Sequence, residues 1–148
     1  MKGRTHLVAG LLIGLLIADH MVVSSVFHST LLILSSVFGS LFPDIDTVRS
    51  ILGKKIRIVG WMSTHRGIFH SPLILIPMVL LLQLLSRPIA IGFLIGFLSH
   101  VALDMLTRQG IKILPGTKRV TGPLRTGGLT EHILLFALSV SCMLILIS

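Results

Sequence analysis

Acidic side chains are almost missing from this chain of 148 residues: five Asp and Glu stand against 13 Lys and Arg, and only 12% of positions are charged. Soluble domains carry about a quarter charged residues, so this scarcity excludes an ordinary soluble fold. Disorder is excluded too, because it needs low hydrophobicity, whereas 53% of this chain is hydrophobic and its mean hydropathy is +0.97. A lone cysteine, Cys142, rules out an intramolecular disulfide, and its apolar surroundings make it a small buried side chain. No small-x-small cleavage site follows the basic start Met1-Lys2-Gly3-Arg4 and its apolar run, which Asp19-His20 interrupts. The segment is therefore expected to be an uncleaved first span, not a signal peptide. There is no internal repeat, and no low-complexity segment beyond the apolar runs. The length suits one domain, 1–148, with no separate soluble catalytic module. What remains is an integral membrane protein whose chemistry must sit in the bundle or its loops.

Apolar runs cover Leu7 to Ala18, with an extension toward Phe27 open, then Leu31 to Phe42, Pro72 to Leu85, Ile89 to Leu103 and Ile133 to Ile147. They predict an all-α polytopic bundle of about five short spans, with four as the alternative. Several runs fall short of the roughly 20 residues that cross a hydrocarbon core, so either the helices extend through their polar ends or the membrane thins. All the Lys and Arg except Arg87 fall before the first span or in the loops before the third and fifth. The positive-inside bias then puts the N-terminus and both long loops in the cytoplasm and the C-terminus outside. In so apolar a chain the net charge of +8 points to anionic lipid headgroups, and no nucleic acid is expected. The stretch from Thr47 to Thr64 reads as an amphipathic segment in the interface. Ser71-Pro72 reads as an N-cap with proline at the first helical position, and Gly92 with Gly96 as a small-residue packing face.

On this topology every acid except Asp19 lies at a cytoplasmic end of a span, with His6, His65, His70 and His100. Asp19, His20 and His28 lie opposite. A charge at mid-bilayer costs about 3 kcal/mol, so such groups persist when paired, ligated or wet. His100 and Asp104, four apart, face one side of a helix. They suit two ligands of a metal, or a His-Asp brace. Asp44 and Asp46 repel each other unless a cation lies between them, the plain alternative being a solvated helix end. His65 and His70 would point about 140° apart on a regular helix, so they converge only if Gly67 allows a turn before Ser71. Arg66, between them, could meet an anionic substrate oxygen or simply a headgroup. His6 alone would be an interfacial histidine. Glu131 could merely complement the positive end of the fifth helix, and His132 reads as structural. His with carboxylate suits zinc, and several carboxylates leave manganese, iron or magnesium open.

His6, Leu41-Phe42-Pro43-Asp44-Ile45-Asp46, His65-Arg66-Gly67-Ile68-Phe69-His70-Ser71, Gly96-Phe97-Leu98-Ser99-His100-Val101-Ala102-Leu103-Asp104-Met105-Leu106-Thr107, Gly110, Leu114-Pro115 and Glu131 together resemble the YdjM family. Its members are bacterial inner-membrane proteins classed as metal-dependent hydrolases. The motifs run from residue 6 to 131, and the pairing of His-Arg-Gly-x-x-His-Ser with Ser-His-x-x-x-Asp-x-x-Thr is specific. The resemblance implies a metal site made from His6, Asp44, Asp46, His65, His70, His100 and Asp104. More distantly, the order of these groups is similar to the zinc-dependent phospholipase C and nuclease superfamily. The chain lacks that superfamily's N-terminal Trp ligand, and the second His-x-x-x-Glu helix is reduced to Glu131, so one or two ions are expected.

The resulting expectation is a hydrolase of the bacterial inner membrane that cleaves a phosphoester in a lipid or lipid-linked substrate. Glu131 would be ligand or general base, and Arg66 would neutralise the substrate phosphate. Two rivals stay open: an ion or proton carrier using the same cluster, and a protein that binds metal only for structure.

Overall fold

Among the described residues five helices follow in chain order: α1 (Gly3–His20), α2 (Val26–Leu41), α3 (Pro72–Leu85), α4 (Arg87–Met105) and α5 (Leu129–Ile147), with a 3-10 turn over Phe42–Asp46 directly after α2. They are seen in a computed structural model that describes residues 1–20, 25–46, 70, 72–113 and 117–147, apart from the side chains of Asp46 and Pro72. The expected interfacial segment from Thr47 to Thr64, the Ser71 cap and Leu114-Pro115 lie outside the described residues. Among the described residues no strand forms. Two isolated bridges, Thr107 with Leu124 and Ile111 with Val120, fold the segment after α4 back on itself.

The short apolar runs are reconciled with longer helices by extension through polar ends. α1 takes in Arg4, His6, Asp19 and His20, α4 runs from Arg87 through Asp104, and α5 includes Glu131. Among the described residues three stretches are long and apolar enough to cross a membrane, Val26–Ile45, Arg87–Met105 and Leu129–Ile147, while Leu73–Leu85 is apolar but shorter. Helix starts follow local chemistry. Ser25 caps α2, its hydroxyl oxygen accepting the His28 N–H at 3.4 Å. Pro72 opens α3, and Pro88 stands in the first turn of α4, where a missing N–H costs nothing.

α4 is the hub, packed against α1, α2 and α3, while α5 lies along α1. The α2 and α4 backbones touch. A Cβ on Gly96 would run into the Ser36 carbonyl, and one on Gly39 into the Phe93 carbonyl. Without a hydrophobic drive between helices in lipid, such close approach and interhelical hydrogen bonds hold a bundle together. One such bond joins Ser36 Oγ to the Gly10 carbonyl at 2.8 Å, tying α2 to α1. An apolar cluster of Phe42, Leu75, Phe93 and Phe97 fills the junction of α2, α3 and α4, with Phe42 and Phe93 edge to face at 5.3 Å. Phe93, Phe97, His100 and Asp104 recur at helical spacing, so α4 buries one continuous face that changes from aromatic to ionisable at its end.

Candidate metal centre

His6 near the start of α1, Asp44 just past α2, His70 just ahead of α3, and His100 with Asp104 at the end of α4 converge at one end of the bundle. The described helices α1 to α4 therefore alternate in direction. Of the groups expected to gather there, these five meet although they lie up to about a hundred positions apart. The His100 and Asp104 pair behaves as the spacing of four predicts, with Nε2 and Oδ2 3.8 Å apart. Asp104 also presents Oδ1 to His6 Nε2 at 3.3 Å and Oδ2 to His70 Nε2 at 4.0 Å, and the Met1 α-amino group lies against Oδ1. Asp44 Oδ1 is 3.9 Å from His100 Nε2. The His6 ring stacks on that of His100 with centroids 3.7 Å apart, and His70 meets His100 edge-on at 5.2 Å.

His6, His70, His100 and Asp104 are buried to 1% exposure or less, while the Asp44 side chain is 18% exposed. A buried ionisable group needs a partner, and the partner differs for each side of His100. Its Nδ1 lies 2.6 Å from the Ser40 carbonyl. A carbonyl only accepts, so Nδ1 carries the proton and donates it, and Nε2 of the neutral ring keeps its lone pair facing the carboxylates. Orientation of a ligating imidazole through its other nitrogen is what metal sites commonly use. Among the described residues, Nε2 of His100 and both ring nitrogens of His6 complete no hydrogen bond.

Two overlapping groups, His6 with Asp44 and His100, and His70 with His100 and Asp104, each place one donor atom per residue within 4.8 Å of the others. Bonds of about 2.0–2.2 Å put neighbouring donors of a tetrahedral zinc about 3.3–3.6 Å apart. The 3.3 to 4.0 Å contacts here come close to that shell. The orphaned nitrogens, mixed donors and spacing fit a divalent cation. His100 offers a single free nitrogen, so it can serve only one ion.

Of the other expected site residues, His65 and Arg66 lie outside the described residues, as does the Asp46 side chain. Glu131 is buried but stands apart from the two donor groups, its carboxylate accepting hydrogen bonds from Lys2 N, Thr5 Oγ1 and Gly127 N. Sequence reasoning missed Ser40, which acts through its backbone, and Thr5, whose hydroxyl gives no distinctive motif. Asp19 and His20 sit at the far end of α1, exposed and 3.8 Å apart, away from the cluster. His132 is exposed, its Nδ1 bonded to the Gly128 carbonyl, and Cys142 is buried as expected.

A sequence profile of the YdjM inner membrane protein family matches residues 1–147. The chain is 32% identical over 150 residues to YvsG of Bacillus subtilis, an alignment covering 95% of this chain and 91% of that protein. It is 31% identical over 94 residues to inner membrane protein YdjM of Escherichia coli and to that of Shigella flexneri, covering 54% of this chain and 46% of each relative. No solved structure gives a significant match.

Proposed function

The chain belongs to the YdjM inner membrane protein family, and from that premise we propose that it is a membrane-embedded, metal-dependent hydrolase. Its substrate would be a phosphoester of a lipid or lipid-linked molecule, met at the cytoplasmic membrane face. The observation that carries the reading is the buried donor set around His100, whose Nδ1 is committed to the Ser40 carbonyl and whose Nε2 faces Asp44 and Asp104. His6, His70, His100, Asp44 and Asp104 would hold the ion, with Asp46 and His65 assigned to it from sequence. Zinc suits the donors best, with manganese, iron or magnesium as alternatives. A divalent ion there would acidify a water and polarise a phosphoryl oxygen.

The chain's own residues supply the rest. Ser40 fixes the His100 ring, and Asp104 spans three histidines, so the donors are held before an ion arrives. Asp44, the least buried donor, marks the edge where substrate would meet the cluster. Arg66 is assigned by sequence to the substrate phosphate. Lys112, Lys118, Arg119 and Arg125 between α4 and α5 are exposed, and would concentrate anionic headgroups if that loop is cytoplasmic.

The test is metal analysis of detergent-purified protein prepared without chelators and supplied with zinc or manganese. It is followed by incubation with phospholipids and polyprenyl phosphates scored for phosphate or headgroup release. Bound metal with release that His100→Ala abolishes supports the proposal, whereas folded, metal-free wild-type protein sinks it. The near-complete burial of four donors favours one second reading, a closed structural metal site. That reading predicts bound metal, no turnover, and unfolding when a chelator removes the ion.

A further inference from the structure

The carboxylate of Glu131, beside the cluster, accepts three hydrogen bonds. Oε1 accepts the Lys2 N–H at 2.6 Å and the Thr5 hydroxyl at 2.8 Å, and Oε2 accepts the Gly127 N–H at 2.5 Å. The residue is 2% exposed. An ionised carboxylate has about four acceptor sites, so three short bonds leave little of it for an ion or a proton transfer. Two of the donors lie 129 and 126 positions away, at the beginning of α1, and the third lies in the turn that leads into α5. Glu131 thus nails the first turn of α1 to the first turn of α5.

That turn carries His6. The Lys2 residue that donates to Glu131 also accepts, through its carbonyl, the N–H groups of Thr5 at 2.9 Å and His6 at 3.4 Å. Among the described residues the His6 ring stacks on His100 and approaches Asp104. With neither ring nitrogen completing a hydrogen bond among the described residues, the ring depends on its backbone as well as on these contacts for its place.

We propose that Glu131 is a positioning residue, neither ligand nor general base: it holds the first turn of α1 so that the His6 ring stays stacked on His100. The functional weight of this role rests on the metal-site reading, but the role itself does not require a metal. The test therefore has two arms on the full chain in micelles. In the first, histidine ring resonances are recorded without metal, with His6 identified by its loss in His6→Ala. Glu131→Gln keeps the size of the side chain but offers one acceptor oxygen where three donors converge. It is expected to shift the His6 resonances toward those of the exposed His20 and His132 while the helix content stays unchanged. Thr5→Val, which removes the hydroxyl donor alone, is expected to shift them in the same direction by less, and it carries this arm if Glu131→Gln does not fold.

The second arm is a zinc-binding double-mutant cycle. Glu131→Gln is expected to weaken zinc binding about 10- to 100-fold, as loss of an outer-shell partner does. In the His6→Ala background it should cause no further loss, because both changes remove the same ligand. Unmoved His6 resonances would overturn the proposal. Losses that add in the double variant would also overturn it and make Glu131 an independent ligand or base. If wild-type protein binds no zinc, the metal reading fails and the ring resonances alone decide the positioning role.

Discussion

Asp104 gives the cluster its most specific residue-level test. It touches His6, His70 and His100, whereas Asp19 sits exposed at the opposite end of the bundle. Asp104→Ala and His100→Ala should each lower zinc affinity at least about tenfold, taking the outer-shell figure as a lower bound for a direct ligand. Asp19→Ala should leave it unchanged, and equilibrium dialysis followed by elemental analysis reads the difference. Equal losses in all three would mean that the ion binds loosely to any carboxylate. The spacing of four between His100 and Asp104 was legible in sequence because helical geometry alone brings those side chains together. The Ser40 carbonyl was not. Every residue has a carbonyl, and only the packing of α2 on α4 decides which one meets Nδ1 across 60 positions. Glu131 was legible as a candidate and not in its role, since sequence shows a carboxylate and not the donors that converge on it.

At the scale of the helix, the α2 and α4 contact is the most demanding. Added bulk at Gly96 meets the Ser36 carbonyl, which cannot swing aside, whereas at Gly14 the nearest atoms, on Ser36 and Ile33, stand 3.1 to 3.4 Å away. Gly96→Ala should therefore destabilise the bundle by about 1–3 kcal/mol, the usual cost of overpacking, and Gly14→Ala by clearly less. Denaturation in mixed micelles followed by circular dichroism checks the order, and a reversed order would place the close helix contact elsewhere. Gly96→Ala should also weaken zinc binding, because separating α4 from α2 lengthens the bond from His100 to Ser40. Sequence showed Gly92 and Gly96 as a small-residue face. It could not show that the face meets α2, because helical spacing does not say which of several apolar helices lies against it.

For the whole molecule, the alternation of helix direction puts the starts of α1, α3 and α5 and the ends of α2 and α4 at one end. If that end is cytoplasmic, a reporter active only outside the inner membrane should be active when fused after Ser148 and silent when inserted after Lys118. The opposite pattern would invert the topology, and activity at neither site would restore the four-span alternative. Composition and charge placement alone determined that the chain is a helical membrane protein and that its ionisable groups belong at helix ends, because hydropathy sums along the chain whatever the fold. Only the tertiary structure decided which of those groups meet beyond the His100 and Asp104 pair, that one nitrogen of His100 faces the carboxylates, and that Glu131 accepts from Lys2, Thr5 and Gly127 instead of joining the cluster. These outcomes rest on helix contacts between distant residues and on backbone donors and acceptors that every sequence contains, so no local pattern could have announced them.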